Sequence, residues 1–265
     1  MLIVIKGAGD LATGIACRLF RSGFDVIMTE TAQPTTVRCT VAFSPAVYVG
    51  KAEVEGIHAV LAKTPDEALT IAQSRAIAIL IDPLAHVISQ LHPFAVVDSI
   101  LAKHNLGTSI TDAPCVVGVG PGFTPGKDCH AAVETQRGHD LGRVLLDRSP
   151  TANTGIPGDI GGYTTERLLR APAAGTFVPL AQIGDHVEKG QAVGRIGDSL
   201  MLAQITGVLR GLLPEGTPVH EGMKSGDIDP RCRKEHCYSI SDKARAVGGG
   251  VLEAILSMHA SHAAI

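Results

Sequence analysis

The stretch MLIVIKGAGDLATGIACRLF (residues 1–20) decides the predicted fold, because it joins a short apolar run to a helical pattern through two glycines. Residues 2–6 have the continuous apolar character of a strand that is buried on both faces. After Gly7 and Gly9, apolar residues recur at helical spacing as far as Phe20. A second apolar run at residues 25–29 completes a predicted β-α-β opening.

The same alternation continues along the first half of the chain. The pattern predicts a helix near 66–74, a strand at 76–81, a helix over about 94–104 and a buried strand at 115–119. Alternating strands and helices indicate a parallel sheet with right-handed crossovers. The expected fold class is therefore α/β, a Rossmann-like parallel sheet with helices.

The second half has a different pattern. Residues 171–229 show short apolar stretches between Gly and Pro, which predict small strands. Four positions recur at an offset of 32 residues, the first set being Gly175, Gly184, Val187 and Gly190 and the second Gly207, Gly216, Val219 and Gly222. Such an internal repeat predicts a compact β-sandwich made of two related halves.

This segment also resembles the small all-β module called the biotinyl/lipoyl-type barrel-sandwich hybrid. The resemblance rests on APAAG (171–175) and GDHVEKGQ (184–191). The hairpin tip that would carry the modified lysine reads GDSLM (197–201), without a lysine. We therefore expect a structural or ligand-contacting module, with no biotin or lipoate.

These patterns predict three parts. A Rossmann-like nucleotide-binding domain with glycine-rich loops covers 1–168, and a β-sandwich module with the internal repeat covers 169–230. A C-terminal segment and helix cover 231–265 and are expected to pack back on the first domain.

The composition excludes some classes of function. The formal charge of -3, an aromatic content of 3% and the absence of Trp argue against nucleic-acid binding. We find no signal peptide and no apolar run near the ~18 residues of a membrane span. Six scattered cysteines in such a chain indicate reduced thiols. We expect a cytoplasmic protein, and the sequence leaves a homo-oligomer open.

The first turn carries a dinucleotide-binding fingerprint, Gly7-x-Gly9-x-x-Ala12, between a strand and a helix. Its backbone N–H groups would approach a phosphate at the helix N-terminus, and an acid at the end of the second strand would bond a ribose hydroxyl. The predicted cofactor is a nucleotide or dinucleotide, of the NAD(P) or molybdopterin type. The predicted cofactor-binding residues are Gly7, Gly9, Asp10, Leu11, Ala12 and Glu30. The alternative is a tight turn with no ligand. A second anion at Asp10 is unfavourable beside a phosphate unless Asp10 caps the helix, faces away or meets a cation. We interpret Asp10 as a helix cap rather than a metal ligand.

A second polar cluster follows the buried strand at 115–119. The candidate catalytic residues are His130, Glu134, Arg137, His139 and Asp140. In a strand over 129–135, His130 and Glu134 would share a face. His, Glu and Asp side chains bind metals or move protons, and Arg137 could hold an anion. A polar loop with a satisfied histidine has the same sequence pattern, and no role is assigned.

Two further groups carry weaker signals. Cys232, His236 and Cys237 could supply metal ligands, although no second Cys/His pair stands at a zinc-ribbon spacing, so that surface thiols are the default. The glycines 248–250 precede a predicted helix over 251–258. They either present N–H groups to an anion or allow close helix packing.

Several strings taken together resemble one family, the YqeB-type accessory proteins of selenium-dependent molybdenum hydroxylase systems. They are GAGDLATGIACRLFRSGF (7–24), TVAFSPAVYVG (40–50), GPGFTPGKDCHAAVETQRGHDLGRV (120–144), NTGIPG (153–158), GDIDPR (226–231) and ISDKARAVGGGVLEAIL (240–256). The opening is also distantly similar to XdhC-type molybdenum-cofactor maturation factors. The resemblance implies a role in maturing or supplying such a hydroxylase, with the hydroxylase or other maturation proteins as partners. It adds Asp229 and Arg231 to the candidate site residues.

The first hypothesis is thus an accessory or maturation factor that binds a nucleotide or a nucleotide-bearing cofactor. A first alternative is an NAD(P)-dependent oxidoreductase, for which no Tyr/Lys pair or His/Asp hydride-transfer arrangement stands out. A second alternative is a metal- or selenium-binding protein that uses Cys129, Cys232, His236 and Cys237. Whether the chain is an enzyme is left open.

Overall fold

The computed structural model describes the backbone of residues 1–263 and the side chains as far as residue 260. The chain divides into two compact units. The first unit contains Met1–Pro34, Ala42–Thr154 and the chain from Ile240 onward, and the second contains Thr35–Val41 and Gly155–Ser239. The three parts expected from the sequence, with boundaries at 168/169 and 230/231, stay a prediction beside this division.

The first unit is built on one large mixed sheet. Its strands are β1 (Leu2–Lys6), β2 (Asp25–Glu30), β3 (Lys51–Val54), β4 (Ile57–Ala62), β5 (Ile77–Ile81), β6 (Ala95–Asp98), β7 (Cys115–Val119), β8 (Ala131–Val133) and β9 (Val144–Leu145). Across the sheet their order is β3-β4-β5-β2-β1-β6-β7-β8-β9. The strands from β4 to β8 run parallel. At the two edges, β3 and β9 run antiparallel to their neighbours.

Helices cover the sheet of the first unit. They are α1 (Asp10–Arg21), α2 (Ala46–Val49), α3 (Pro65–Gln73), α4 (Val87–Leu91) and α5 (Asp242–Ala263). The helix α3 begins where the Thr64 side chain accepts a hydrogen bond from the Glu67 amide, a standard N-cap. Among the described residues, no helix combines the length and apolar character of a membrane span.

Close packing of α1 on α5 depends on small side chains. A Cβ atom at Gly14 in α1 would lie 2.6 Å from the Cβ of Ala244 in α5. Small residues at this crossing let the two helix backbones approach each other. Central strands of the sheet are buried on both faces, which explains why their sequences read as continuous apolar runs.

The predicted fold class, a Rossmann-like parallel sheet with helices, is wrong. The sheet is mixed, because each edge is an antiparallel pair. In the described chain, no helix lies between β6 and β7 or between β7 and β8, so the strand–helix alternation stops at β6. The prediction failed because a buried strand has the same apolar signature whether a helix or a loop leads to its neighbour.

The predicted helix over about 94–104 is also wrong, since residues 95–98 form β6. The segment FAVVDSILAK has apolar residues at helical spacing. It also contains adjacent valines, which suit a pleated strand. Pairing of β6 with β1 on one side and with β7 on the other decides the outcome.

The second unit contains strands and short 3-10 turns in the described chain. Its strands are β10 (Leu168–Arg170), β11 (Gly175–Pro179), β12 (His186–Val187), β13 (Ala192–Ile196), β14 (Ser199–Leu202), β15 (Gly207–Leu212), β16 (Pro218–Val219) and β17 (Lys224–Asp229). They form two four-stranded sheets, β10-β17-β15-β12 and β14-β13-β11-β16. The 3-10 turns are Cys39–Val41, Thr165–Arg167 and Lys234–Cys237. All strand pairs in these sheets are antiparallel.

The two copies of the repeat pair crosswise. Gly175 of the first copy lies opposite Val219 of the second. Val187 of the first copy lies opposite Gly207 of the second. Gly207 is the counterpart of Gly175 at the 32-residue offset, and Val219 is the counterpart of Val187. The two pairs therefore join equivalent positions, and each pair takes one residue from each copy. Each copy therefore completes a sheet of the other.

The prediction that residues 169–230 form a small all-β module of the biotinyl/lipoyl-type barrel-sandwich hybrid class is wrong. The compact unit extends beyond the 169–230 module and takes in Thr35–Val41. The carbonyl of Val37 in this segment accepts a hydrogen bond from the Leu212 amide at 2.7 Å. Turn motifs such as GDHVEKGQ specify local hairpins, and they carry no information about a distant segment that packs beside them.

Candidate functional site

The turn between β1 and α1 is built around Gly7. Its φ of +94° is in the left-handed region, which favours glycine. A Cβ atom at this position would also lie 3.0 Å from the carbonyl oxygen of Ser99. The turn therefore needs Gly7 for its conformation and for the close approach of residues 99–100.

The backbone of the next residue, Ala8, makes three hydrogen bonds. Its N–H donates to Oε2 of Glu30 at 3.0 Å. Its carbonyl accepts hydrogen bonds from the Ser44 amide at 2.9 Å and from Oγ1 of Thr13 at 3.3 Å. The segment that contains Ser44 and the buried Phe43 covers this side of the turn. The amide of Ala8 thus has an internal acceptor, and a phosphate would have to compete with Glu30 for it.

The beginning of α1 is more open. Gly9 is the N-cap residue, with extended backbone angles (φ −69°, ψ −177°), and among the described residues no side chain caps this end of the helix. Asp10 lies in the first helical turn and is half-buried, whereas Leu11 and Ala12 are buried. N–H groups of an uncapped first turn are donors for an anion. Of the predicted cofactor-binding residues, Gly7, Gly9, Asp10 and Glu30 are half-buried, whereas Leu11 and Ala12 are buried.

A buried polar cluster lies beside this turn, and the sequence analysis missed it. Lys6 ends β1 and Asp98 ends β6, and the two residues are register partners in the parallel sheet. The Nζ of Lys6 donates to Oγ1 of Thr108, which donates in turn to Oδ2 of Asp98, both at 2.5 Å. Nζ of Lys6 is 3.5 Å from the same carboxylate oxygen. The signal in the sequence was a charged residue at the end of each apolar strand, LIVIK and AVVD.

Lys6, Asp98, Ser99 and Thr108 form what we call the edge cluster, and it contains one unsatisfied group. The hydroxyl of Ser99 is buried and has no hydrogen-bond partner among the described residues. Only 4% of Ser99 is exposed. A buried hydroxyl without a partner is costly, so such an atom in a folded protein points to a ligand or an ordered water. Ligands of open α/β sheets bind at this carboxyl edge, between strands whose connections leave in opposite directions.

Glu134, a predicted catalytic residue, has a structural role. Its buried carboxylate accepts hydrogen bonds from the amides of Thr135, Gln136 and Thr151 and from the Thr151 hydroxyl, at 2.6–2.8 Å. Burial alone would raise the pKa of Glu134, but these four donors outweigh it and hold the pKa below its usual value. The carboxylate therefore stays ionised and ties the loop at Thr151 to the end of β8.

The other four predicted catalytic residues are distributed over the loops of the first unit. Nδ1 of His130 accepts a hydrogen bond from the Val116 amide at 3.0 Å. Arg137 forms a bidentate pair with Asp242 at 2.7 and 2.9 Å, which joins its loop to the start of α5. Asp140 pairs with Arg143 at 2.7 Å, and His139 is exposed. The hydrogen bonds and ion pairs of His130, Arg137 and Asp140 are those of residues that anchor loops.

The glycines 248–250 lie inside α5 and not before it. A Cβ atom at Gly248 would lie 3.2 Å from the carbonyl of Gly14 in α1. A Cβ atom at Gly250 would collide with the carbonyl of Gly142. Close helix packing, one of the two alternatives for these glycines, is therefore what the structure shows at Gly248 and Gly250.

In the second unit, Asp229 and Arg231 form a tight pair. Nε and Nη2 of Arg231 donate to the two carboxylate oxygens of Asp229 at 2.9 and 2.6 Å, and the Arg231 amide donates to Oδ1 at 3.0 Å. Burial by itself would raise the pKa of Asp229. The hydrogen bonds from Arg231 and the charges of Arg231 and Arg210 outweigh it and lower the pKa to about 2. Asp229 is thus a buried anion among arginines.

The weak metal candidates do not form a metal centre in the described part of the chain. Cys232 is exposed, whereas Cys237 is buried and its Sγ contacts the Leu209 carbonyl at 3.7 Å. His236 faces Asp229, with 3.8 Å between Nδ1 and Oδ2. Over the described residues, no group of three His, Cys, Asp or Glu side chains could hold a metal ion. Cys129 is buried, which raises the pKa of its thiol to about 11 and makes it unreactive at neutral pH.

Comparisons with known proteins give one sequence relative. The chain is 49% identical over 257 residues to a protein of Escherichia coli (strain K12) described as uncharacterized protein YqeB. The match covers 97% of this chain and 48% of that protein, so the chain spans about half the length of the curated relative. No family model matches the chain.

Two crystal structures show weak similarity. An aspartoacylase family protein from Mesorhizobium loti is 12% identical with a TM-score of 0.29, over 88% of this chain and 86% of that one. A succinylglutamate desuccinylase/aspartoacylase from Rhodobacter sphaeroides is 14% identical with a TM-score of 0.27, over 86% and 84%.

Proposed function

We propose that the chain is an accessory or maturation factor for a selenium-dependent molybdenum hydroxylase, and that it binds a phosphate-bearing, nucleotide-type ligand at the start of α1. The chain is similar to YqeB over 97% of its length, and the accessory role is what the family resemblance of its sequence motifs implies. The polar carboxyl edge of β1, β2 and β6 supports the place of binding. NAD(P) and molybdopterin dinucleotides are the ligands to test first.

The buried Ser99 hydroxyl is the observation that carries the proposal. It has no partner among the described residues, and its backbone carbonyl packs against Gly7 in the turn before α1. An incoming phosphate or hydroxyl group would give Ser99 the partner it lacks, and it would satisfy N–H groups of the uncapped helix at the same time. One anionic ligand would thus accept hydrogen bonds from both the Ser99 hydroxyl and the N–H groups at the start of α1.

The geometry also narrows the roles of the fingerprint residues. Gly7 and Ala8 shape the turn, Gly7 through its left-handed backbone and the buried Ala8 through its hydrogen bond to Glu30. Direct contact with the ligand falls to the backbone of Gly9 and Asp10. Glu30 already accepts two backbone hydrogen bonds, from Ala8 and from Thr31. Its carboxylate oxygens have further lone pairs, so a ribose hydroxyl can still donate to it.

A matched pair of substitutions at Gly9 tests this function. The extended angles of Gly9 accept any residue, and both Asp and Asn are good N-caps. Gly9→Asp and Gly9→Asn should therefore fold alike, and only Asp repels an anionic ligand. In a thermal-shift panel of NAD(H), NADP(H), ATP, CTP and molybdopterin dinucleotides, at least one ligand should raise the Tm of the unmodified chain by mass action. Gly9→Asp should lose more of this shift than Gly9→Asn.

Ser99→Ala gives a second test. Removing an unsatisfied buried hydroxyl should leave the Tm of the ligand-free protein unchanged or higher, and the ligand-induced shift should fall. Ser89→Ala, at an exposed position of α4, is the control. A panel in which no ligand stabilises the chain would overturn the proposal, as would equal ligand shifts in Gly9→Asp and Gly9→Asn.

A further inference from the structure

Two exposed apolar side chains of the first unit have no role in the proposed function. Tyr48 in α2 is 49% exposed, and Ile81, the last residue of β5, is 47% exposed. Single exposed apolar residues are common on protein surfaces, so the position of these two decides what they mean. We call them the Tyr48–Ile81 surface.

Ile81 lies beside Glu30 at the carboxyl edge of the sheet. The two residues are register partners in neighbouring parallel strands, and the amide of Asp82 donates to the Glu30 carbonyl at 3.1 Å. Leu80, the residue before Ile81, packs in an apolar cluster that contains residues of α3. Because side chains alternate along a strand, Ile81 points to the opposite face of the sheet and shares that face with Glu30.

Tyr48 approaches Glu30 from a different element. Its hydroxyl donates to the carbonyl of Pro34 at 3.0 Å, in the chain that follows β2, and this bond holds the ring in place. The short helix α2 packs against β5. Partial burial and then the charge of Glu30 raise the pKa of Tyr48, as expected for a ring within electrostatic reach of that carboxylate. Glu30 is therefore a neighbour of both Tyr48 and Ile81.

Glu30 also connects this surface to the start of α1. Its Oε2 accepts the hydrogen bond from the N–H of Ala8, the residue before the N-cap Gly9. A ligand with a phosphate at Gly9 can therefore extend past Glu30 and reach Tyr48 and Ile81. The ligand would follow the carboxyl edge of the sheet from β1 across β2 to β5.

The charges at this end of the path favour an uncharged group. Glu30 and Asp82 are both acids, and Oδ2 of Asp82 accepts a hydrogen bond from the Val87 amide at 2.9 Å. Carboxylates repel a phosphate, whereas their remaining lone pairs accept hydrogen bonds from hydroxyl and amino groups. A nucleoside offers such groups together with a flat apolar ring.

We propose that the nucleoside half of the ligand lies on the Tyr48–Ile81 surface, with its base stacked on the Tyr48 ring and packed against Ile81, and with its ribose at Glu30. Aromatic side chains are a common surface on which bases stack. The inference rests on the proposed function, because it takes the phosphate position from α1. It makes the base a recognised part of the ligand, so a free phosphate or pyrophosphate should be a poor substitute.

Calorimetry with ADP, CDP and pyrophosphate tests the inference, because pyrophosphate has two linked phosphates and no nucleoside. At least one of the two nucleotides should bind on the order of tenfold more tightly than pyrophosphate, the gain expected from one base stacked on an aromatic ring. Tyr48→Leu should lose this gain, and Tyr48→Phe should keep it. Both variants lose the hydrogen bond to Pro34, so only the aromatic ring separates them. Ile81→Thr should raise the Kd of the nucleotide about threefold through lost apolar contact.

Tyr238→Leu is the matched control. Tyr238 belongs to the second unit, is also 49% exposed, and donates its hydroxyl to the Ile183 carbonyl at 2.9 Å. Its replacement should leave the nucleotide Kd unchanged.

Tyrosine emission reports the stacking directly, because the chain contains three tyrosines and no tryptophan. The bound nucleotide should quench part of this emission, and pyrophosphate should leave it unchanged. Tyr48→Phe should abolish the quenching although it keeps the affinity. Tyr238→Phe should quench like the unmodified chain.

Three results would overturn the inference and leave the phosphate position at α1 standing. They are nucleotides that bind no more tightly than pyrophosphate, equal Kd values in Tyr48→Leu and Tyr48→Phe, and quenching that survives in Tyr48→Phe. Failure of all three probes to bind would also overturn it. The proposed function falls as well only if the thermal-shift panel shows no stabilising ligand.

Discussion

The carboxylate of Glu30 accepts a hydrogen bond from the backbone N–H of Ala8 at 3.0 Å, and so the end of β2 holds the turn between β1 and α1. Its other oxygen accepts from the Thr31 amide at 2.8 Å. An acid at this position in a dinucleotide-binding fingerprint is usually interpreted as the residue that hydrogen-bonds the ribose of the cofactor. In this chain the same acid has a role within the protein itself, which makes its contribution to stability measurable without any ligand.

Glu30→Gln should destabilise the chain by about 1–2 kcal/mol, because the amide keeps one acceptor oxygen and directs an NH2 group at the other backbone donor. The free energy of unfolding in urea measures this loss. Glu53→Gln is the matched control, since the Glu53 side chain is exposed and pairs with the equally exposed His58. It should stay within about 0.5 kcal/mol of the unmodified chain. Equal values for the two variants would mean that the Ala8–Glu30 bond adds nothing.

The pair Lys6 and Asp98 should behave as a coupled unit. Lys6→Met leaves the Asp98 carboxylate buried with Thr108 as its remaining partner in the cluster, and we expect a loss of about 3–5 kcal/mol. Lys6→Met combined with Asp98→Leu removes both charges and should be less destabilised than the sum of the single variants. A double-mutant cycle by urea unfolding measures this coupling. Strictly additive losses would contradict a buried ion pair.

Substitution by alanine should have opposite effects on stability at two adjacent glycines of α5, Gly249 and Gly250. Within the described residues, no atom lies within 4 Å of a Cβ added at Gly249, so Gly249→Ala should gain about 0.5–1 kcal/mol from helix propensity. Gly250→Ala would push a methyl group into the Gly142 carbonyl and should lose about 2 kcal/mol. Thermal unfolding of the two variants side by side gives the signs. The same sign for both would show that α5 does not pack as described.

Asp229 should make stability depend on pH in the acid range. Its folded pKa of about 2 lies below the ordinary aspartate value near 3.9, so the folded state binds the proton less readily than the unfolded chain. The stabilisation is therefore complete above about pH 4 and is lost as the pH falls toward 2.

The comparison of the unmodified chain with Asp229→Asn measures this effect. The gap in unfolding free energy between the two should be constant at pH 5–7 and should shrink by about 2 kcal/mol as the pH falls toward 2. Asp198→Asn, at an exposed aspartate, reports what the removal of a surface carboxylate does by itself. A gap that grows on acidification would reverse the sign and contradict the assignment.

Much of the local structure could be predicted from the sequence. Apolar runs located β1, β2, β5 and β7, and helical periodicity located α1 and α3. The helix predicted over about 94–104 was wrong at residues 95–98, which form a strand. The apolar residues there fit both a helical and a strand periodicity, and only pairing with the neighbouring strands decides between the two. The predicted catalytic residue Glu134 is a buried loop anchor, a role that depends on Thr151 and that no spacing could reveal.

The sequence by itself located β1, β2, β5, β7, α1 and α3 and showed that the second half contains two copies of one unit, because burial and turn residues leave local periodic patterns. Only the tertiary structure decided which segments become neighbours. Strand register brings Lys6 against Asp98, and Arg38 joins the same unit as Asp229 from a distant part of the chain. Contacts between residues so far apart in sequence depend on the combined packing free energy of the whole chain, and no short segment of sequence contains both partners.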